Sequence, residues 1–457
     1  MMLSKKAVDT DYTNRSNSYP ASRQANYVLG LLFLAYTLSF LDRQILGILI
    51  GPIKDDLQIS DFQFSLLQGA AFAILYSVMG LPFGRMADSK NRKIIMAAGV
   101  FGWSLMTIGC GMAKNFTQLF LVRMGVGVGE AALSPAAYST ITDCFPREKL
   151  TGALAIYKGG IIIGSGLAFV LGGILYDYYA SVDSLEFPLF GQMAAWQATF
   201  VTVGLPGFVL SVLILLTKEP RRKGLLRTSH DSPATSLRIK EVFSYIFSEQ
   251  RTLYVCLFGG SSLLAIVFYG YTSWFTEMLI RSYDLSRSQA GSLYGSVYIA
   301  AGFLGLFLGP LMVGSFQRRG LKDSNMRALM VIAVAVLPAA IVAPQMPTHQ
   351  WALALVAPVV FLQAAYSGVS AAAVQMVTPN QMRGQATAIF IFLTNMLGLA
   401  LGSSLIAGIT DFVFADESML NYSLTAVSVI LIPLAGVLFW KGLKAFAAAI
   451  EQSENWA

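Results

Sequence analysis

Five ionisable side chains, Asp42, Arg43, Arg123, Glu130 and Lys158, fall inside stretches that are otherwise apolar enough to span a bilayer. A charge at bilayer depth is costly, so such residues face a water-filled path, a proton relay or a substrate site rather than lipid. Two of the five are carboxylates and three are cations. Burial favours the neutral form of a carboxylate and a nearby guanidinium favours the charged form. Where the two compete, a carboxylate can exchange a proton near neutral pH, as a proton-linked carrier needs. All five lie in the first half of the chain; the second half has only Glu277, near a helix end. The asymmetry assigns ion coupling to one half and the shaping of a pocket to the other.

Other chemistry is sparse. His230 and His349 lie in loops, and Cys110, Cys144 and Cys256 are too far apart for a CxxC or zinc pattern. No metal, cofactor or disulfide framework is expected. There is no Walker A loop, no HExxH and no nucleophile–histidine arrangement, so the chain reads as a non-enzyme.

The elements that must position these charges follow from hydropathy. Of 457 residues, 55% are hydrophobic and 12% charged, with a mean hydropathy of +0.60. A soluble protein carries about 25% charged residues, so this is an integral membrane protein. Spanning segments fall at 27–53, 61–83, 93–113, 117–142, 151–176 and 194–217, then at 252–280, 288–316, 326–345, 351–377, 384–411 and 420–444. The reading is all-α: twelve transmembrane helices in two six-helix halves, 25–217 and 251–445. A basic linker at 218–250 joins them, with polar tails at 1–24 and 446–457. No cleavable signal segment is visible.

With the N-terminus in the cytoplasm, only four of the 32 basic residues, Lys54, Lys114, Arg281 and Arg287, fall in outside loops. The positive-inside rule therefore predicts a multi-pass cell-membrane protein with both termini cytoplasmic. The net charge of +7 is sorted by loop and does not argue for nucleic acid. The halves also echo each other. Gly80–Gly84 matches Gly305–Gly309, Pro146/Ala153/Tyr157 matches Pro379/Ala386/Phe390, and Gly166-Leu-Ala recurs at Gly398. A six-helix unit used twice puts a transport site at the repeat interface near mid-membrane.

Helical geometry sorts the charges. Asp42 and Arg43 are neighbours, about 100° apart on a helix, and each needs a partner on another helix. Glu130 sits at the middle of the fourth segment. Asp42 and Arg43 lie ~3–5 Å further out, and Arg123 is about 10 Å outward of Glu130 on nearly the same face. Arg43–Glu130 is the natural pair, which leaves Asp42 near Arg123 or water. The alternative is a static ion-pair network that fastens the first and fourth helices. Lys158 either snorkels or binds an anionic head group. Aromatic walls suit an amphipathic ligand, and Tyr269, Tyr271, Tyr298 and Asn395 are candidate pocket residues with Lys158.

Three motifs remain. Gly84-Arg-Met-Ala-Asp88-Ser-Lys-Asn-Arg92-Lys93 follows the second segment. In it Gly84 would permit close helix contact, Asp88 could latch a helix N-terminus of the other half, and Arg92 would hold the loop in the cytoplasm. Gly160, Gly164, Ala168 and Gly172 form a small-residue ridge for packing. Arg123-Met-Gly-Val-Gly-Val-Gly-Glu-Ala131 carries two of the buried charges.

The loop motif resembles the signature of the major facilitator superfamily. Together with Asp42-Arg43, the Arg123–Ala131 string and Gly164-Ser-Gly-Leu167, the chain over residues 39 to 170 is similar to the Spinster family within it. The resemblance implies an alternating-access, proton-linked carrier of lysolipids or sphingoid lipids, working as a monomer with protons, an amphipathic substrate and the bilayer as partners. The chain departs from the family pattern at Lys158, where an aromatic or apolar residue is expected, and at Ser89.

Overall fold

A computed structural model describes residues 19–182, 186–187, 191–222, 239–379 and 382–453. Most of the expected N-terminal tail, the middle of the linker and the last four residues lie outside the described residues. Among the described residues, twelve helices are long and apolar enough to cross a membrane. They are α1 Ser22–Ile48, α2 Asp61–Ser89, α3 Arg92–Gly111, α4 Phe116–Cys144, α5 Glu148–Ala180, α6 Ala195–Leu215, α7 Arg251–Tyr283, α8 Arg287–Arg318, α9 Ser324–Gln345, α10 His349–Met376, α11 Arg383–Phe414 and α12 Glu417–Ser453. Two segments outside the expected spans carry helix. The tail expected from 446 is helical to Ser453, because Phe446 and Ala449 still bury an apolar face. The linker from 218 holds a short helix at Ile239–Ser244 and a π-turn at Tyr245–Glu249 before α7. The one described strand pairing, Glu186–Phe187 with Gly191–Gln192, lies between α5 and α6.

Local sequence sets several starts. Ser60 with Gln63 and Ser286 with Gln289 are reciprocal capping boxes for α2 and α8. Asn91 and Asn115 cap α3 and α4 with their side chains. Three helices of the first half lose regular geometry within their spans. The end of α1 tightens to a 3₁₀ turn at Ile45–Ile48. α2 breaks at Gly69 and α4 at Ala132. Pro135 explains the α4 break, since it offers no N–H to the preceding turn.

Glycines show how the halves meet. A Cβ added at Gly173 of α5 would come within 2.3 Å of the Arg287 carbonyl of α8, and one at Gly166 within 2.3 Å of Ile299. At Gly159 the nearest atom is 3.9 Å away, on Phe303, and at Gly152 nothing lies within 4 Å. These four glycines recur every seven residues, so they share one face of α5. The seam between the halves is a wedge, closed at the end of the α1–α2 and α7–α8 loops and parted at the basic-loop end. α2 repeats the pattern: a Cβ at Gly69 would be 2.3 Å from the Leu399 carbonyl of α11, whereas Gly80 and Gly84 meet nothing. The expected close helix contact at Gly84 is therefore absent, because the halves have separated there. The other expected ridge, Gly160, Gly164 and Gly172, packs on α1 against Phe33, Thr37 and Ile45.

Candidate functional site

Arg43 of α1 and Glu130 of α4 form a buried ion pair, with Nη2 2.6 Å from Oε2. Ser39 Oγ donates to the same Oε2 at 2.6 Å, while Oε1 has no partner. Ser39 lies one turn before Arg43, on the same face of α1; that spacing was the available signal for it. The Arg43 guanidinium makes only this one hydrogen bond among the described contacts. Aromatic faces surround the rest of it: Phe40 at 4.5 Å, Phe72 at 4.2 Å and Tyr76 at 5.0 Å from ring centroid to guanidinium carbon. A ring face attracts a desolvated cation by ~2 kcal/mol, so this box replaces the water the guanidinium has lost.

Asp42 is 2% exposed and has no ion pair among the described residues. Its Oδ2 accepts from Thr107 Oγ1 of α3 at 3.2 Å, and Oδ1 is unpartnered. Arg123 is fully buried. It donates from Nη1 to the backbone carbonyl of Asp42 at 3.3 Å, not to the carboxylate. Its Nε and Nη2 have no acceptor. Four charges thus stand within one layer of α1, α3 and α4, one pair joined and two under-satisfied. A fastening made only for stability would satisfy its polar atoms, because an unpaired buried charge destabilises.

Between the halves lies a cavity of about 210 Å³. Phe40, Gln44, Lys158 and Ser165 line it from the first half, and Tyr269, Thr272, Tyr298 and Gln363 from the second. Lys158 is the only Lys, Arg, Asp or Glu in the lining. It has no hydrogen bond or ion pair among the described residues. Tyr269 reaches toward Asn395 of α11, its hydroxyl 3.5 Å from Oδ1, and Asn395 itself stands outside the lining. Tyr271 is a correction. It points away from the cavity: its hydroxyl donates to the Ala340 carbonyl of α9 and accepts from Ser428 Oγ of α12. Two residues after Tyr269 is the opposite face of a helix. Gln44 and Gln363 were not singled out from sequence; uncharged amides among apolar neighbours give no distinctive pattern.

The three loop residues behave differently from one another. Asp88 is exposed, and its carboxylate has no partner among the described residues. Its backbone carbonyl, with those of Ala87 and Lys90, is instead held by the Arg222 guanidinium. Arg92 is fully buried and no solvent anchor. It pairs with Asp143 Oδ2 at 2.5 Å and Glu219 Oε1 at 2.8 Å, and donates to the Pro220 carbonyl at 2.9 Å. Glu219 also accepts from the backbone N–H of Arg92 and of Lys93 at the start of α3. Burial raises the Glu219 carboxyl, but these bonds outweigh it and hold the group below its ordinary value.

The opposite end carries a cluster that the sequence reading missed. Asp61, fully buried at the start of α2, accepts Lys54 Nζ at 2.5 Å and both terminal nitrogens of Arg281 at 2.7 and 2.8 Å. Arg281 also pairs with Glu277 at 2.9 Å, and Lys54 with Glu417 at 2.6 Å. These residues come from the short helix Ile50–Leu57, from α2 and α7, and from the start of α12, so only the fold brings them together.

Comparison with known proteins agrees with this architecture. The family model of the Major Facilitator Superfamily matches residues 32–403. The chain is 27% identical over 420 residues to an MFS-type efflux pump of Mycolicibacterium smegmatis, covering 91% of this chain and 90% of that one. It is 25% identical to the sphingosine-1-phosphate transporter SPNS2 of Danio rerio, over 68% of this chain and 60% of that relative. A crystal structure of a bacterial homologue of the human lysosomal transporter Spinster, inward-facing and unoccupied, superposes with a TM-score of 0.75 at 25% identity, covering 95% and 99% of the two chains. The chain belongs to the major facilitator superfamily and is a multi-pass membrane protein.

Proposed function

We propose that this superfamily member is a proton-coupled secondary transporter that works by alternating access as a monomer and carries an amphipathic, lipid-like organic anion of the lysophospholipid or sphingoid-phosphate type. The observation that carries the reading is the under-satisfied charge layer of Asp42, Arg43, Arg123 and Glu130 beside an interfacial cavity with one unpaired cation. Glu130 and Asp42 exchange the proton, and Arg43 and Arg123 tune them. Lys158 meets the anionic group, while Tyr269 and Tyr298 bound the apolar part, with Asn395 behind Tyr269. Gly84, Asp88 and Arg92 belong to the gate at the basic end. Both termini and the basic loops are cytoplasmic by the positive-inside rule, so the wedge opens inward. The likeness to a Spinster homologue and to a sphingosine-1-phosphate transporter supports the substrate class.

A second reading is a small organic anion or drug. The cavity volume favours it, since 210 Å³ is below the ~300–1,000 Å³ usual for ligand pockets, and so does the likeness to an efflux pump. Purified protein in liposomes, given an inward pH gradient, should accumulate labelled oleoyl-lysophosphatidate and lose that accumulation when an ionophore collapses the gradient. Flux of this probe that ignores the gradient would remove the proton from the mechanism. Accumulation of ethidium or a sugar acid in its place would select the second reading.

A further inference from the structure

We propose that Phe40 is a positioning residue through which an occupant of the interfacial cavity acts on the Arg43–Glu130 pair. The inference rests on the proton-coupled reading above. Of the three described rings that face the Arg43 guanidinium, Phe40 is the one that also lines the cavity, and its ring centroid lies 4.5 Å from the guanidinium carbon. The other two rings of the box, Phe72 and Tyr76, stack on each other at 5.1 Å along α2 and do not line the cavity.

Backbone packing confines the response to the ring. α5 presses on this turn of α1, where a Cβ on Gly164 would sit 2.3 Å from the Thr37 carbonyl and 2.9 Å from the Phe40 Cβ. The Phe40 backbone therefore has no room to move toward α5, whereas its ring borders empty volume. Arg43 in turn is held through one hydrogen-bonded partner and the aromatic faces. It makes a single hydrogen bond to Glu130, and its Nε has no acceptor. A molecule entering beside Lys158 meets the Phe40 edge and shifts the ring. The guanidinium then loses one of its three aromatic faces, and the carboxylate it neutralises changes its hold on the proton. Substrate and proton need no direct contact in this arrangement.

The test uses the full chain in liposomes loaded with a pH-sensitive dye, with labelled oleoyl-lysophosphatidate as the probe and both fluxes recorded. Phe40→Leu keeps apolar bulk and removes the ring face. It should still move the probe, with protons per probe reduced at least severalfold, and by up to about thirtyfold if the whole of the lost cation–π contact is felt. Phe40→Tyr should keep the wild-type ratio. Phe40→Met is the second ringless variant should Phe40→Leu fail to fold. A wild-type ratio in the ringless variants overturns the inference. So does equal loss of both fluxes, which marks the ring as packing alone, and so does loss of coupling in Phe40→Tyr. A wild-type protein that moves the probe without protons, or does not move it, sinks the proton-coupled lipid reading first and this inference with it.

Discussion

Replacing Glu130 by Gln separates a coupling carboxylate from structural glue. The change keeps volume and an acceptor oxygen, so Ser39 and Arg43 retain a hydrogen-bond partner at the 2.6 Å positions. What disappears is the charge. With charge centres ~4 Å apart and an effective dielectric of ~20, the Coulomb attraction is about 4 kcal/mol, and removing one partner of a buried pair destabilises by about 3–5 kcal/mol. The aromatic box around Arg43 and the remaining amide acceptor place Glu130→Gln at the low end, near 3 kcal/mol. The double variant Arg43→Gln/Glu130→Gln removes both charges and should recover most of that stability, read as thermal unfolding of the detergent-purified protein. Transport should not recover with it. A proton crossing ~100 mV gains about 2.3 kcal/mol and half a pH unit adds about 0.7, enough for a roughly hundredfold gradient of the probe. The single variant should accumulate the probe about onefold, with no pH dependence, while probe exchange across the liposome continues. If the double variant regains both stability and gradient-driven accumulation, the pair is a fastening and the coupling assignment fails.

Lys158→Met should raise the half-saturating concentration of lysophosphatidate about tenfold, by loss of the cavity's one cation, and leave that of uncharged monoolein unchanged; equal effects on both would make Lys158 a packing residue. Asp61→Asn should loosen the outer cluster, and spin labels at positions 55 and 282 should show a longer distance population; an unaltered distribution would reduce the cluster to surface pairing. Asp88→Asn should favour the basic-end-open state, read between labels at 89 and 319, because an amide interacts less with a helix N-terminus of the opposite half than a carboxylate does. No change there would leave the loop motif a topology signal.

The helices were legible because a bilayer demands unbroken apolar length, a signal independent of tertiary contacts. Span limits differ most where that logic ends, at α1, which tightens to 3₁₀ geometry after Gln44, and at α12, which runs on to Ser453. The charge layer was legible because ionised residues are rare at that depth, and the rise per residue located Glu130 opposite Arg43. What the sequence hid is lateral. Periodicity does not say which neighbour faces a residue, so Tyr271 was grouped with Tyr269 although it faces α9 and α12. Asp61, Lys54, Arg281 and Glu417 looked like ordinary loop charges, since their pairing depends on contacts more than 200 residues apart such as Arg281 with Asp61.

The two ends of the molecule are fastened differently, and the difference bears on how it moves. At the end of the α1–α2 and α7–α8 loops the bonds join the halves: Asp61 with Arg281, Lys54 with Glu417, the Phe62 N–H donating to Asp411, and Asp177 accepting from Ser286 and from the Ser288 N–H. At the basic end the described ion pairs stay within a half: Arg92 with Asp143 and Glu219, Lys322 with Glu451, and Arg327 with Asp323. There Arg222 and Lys93 hold backbone carbonyls at the ends of α2 and α6, so each half stays intact while the wedge is open. A rocking motion about the glycine seam of α5 and α8 would break the first set and leave the second untouched. In the proposed alternating-access mechanism the energy of the Asp61 cluster would weigh directly on the equilibrium between open states, and the Asp88 carboxylate, without a partner among the described residues, would be available to oppose it once the basic end closes.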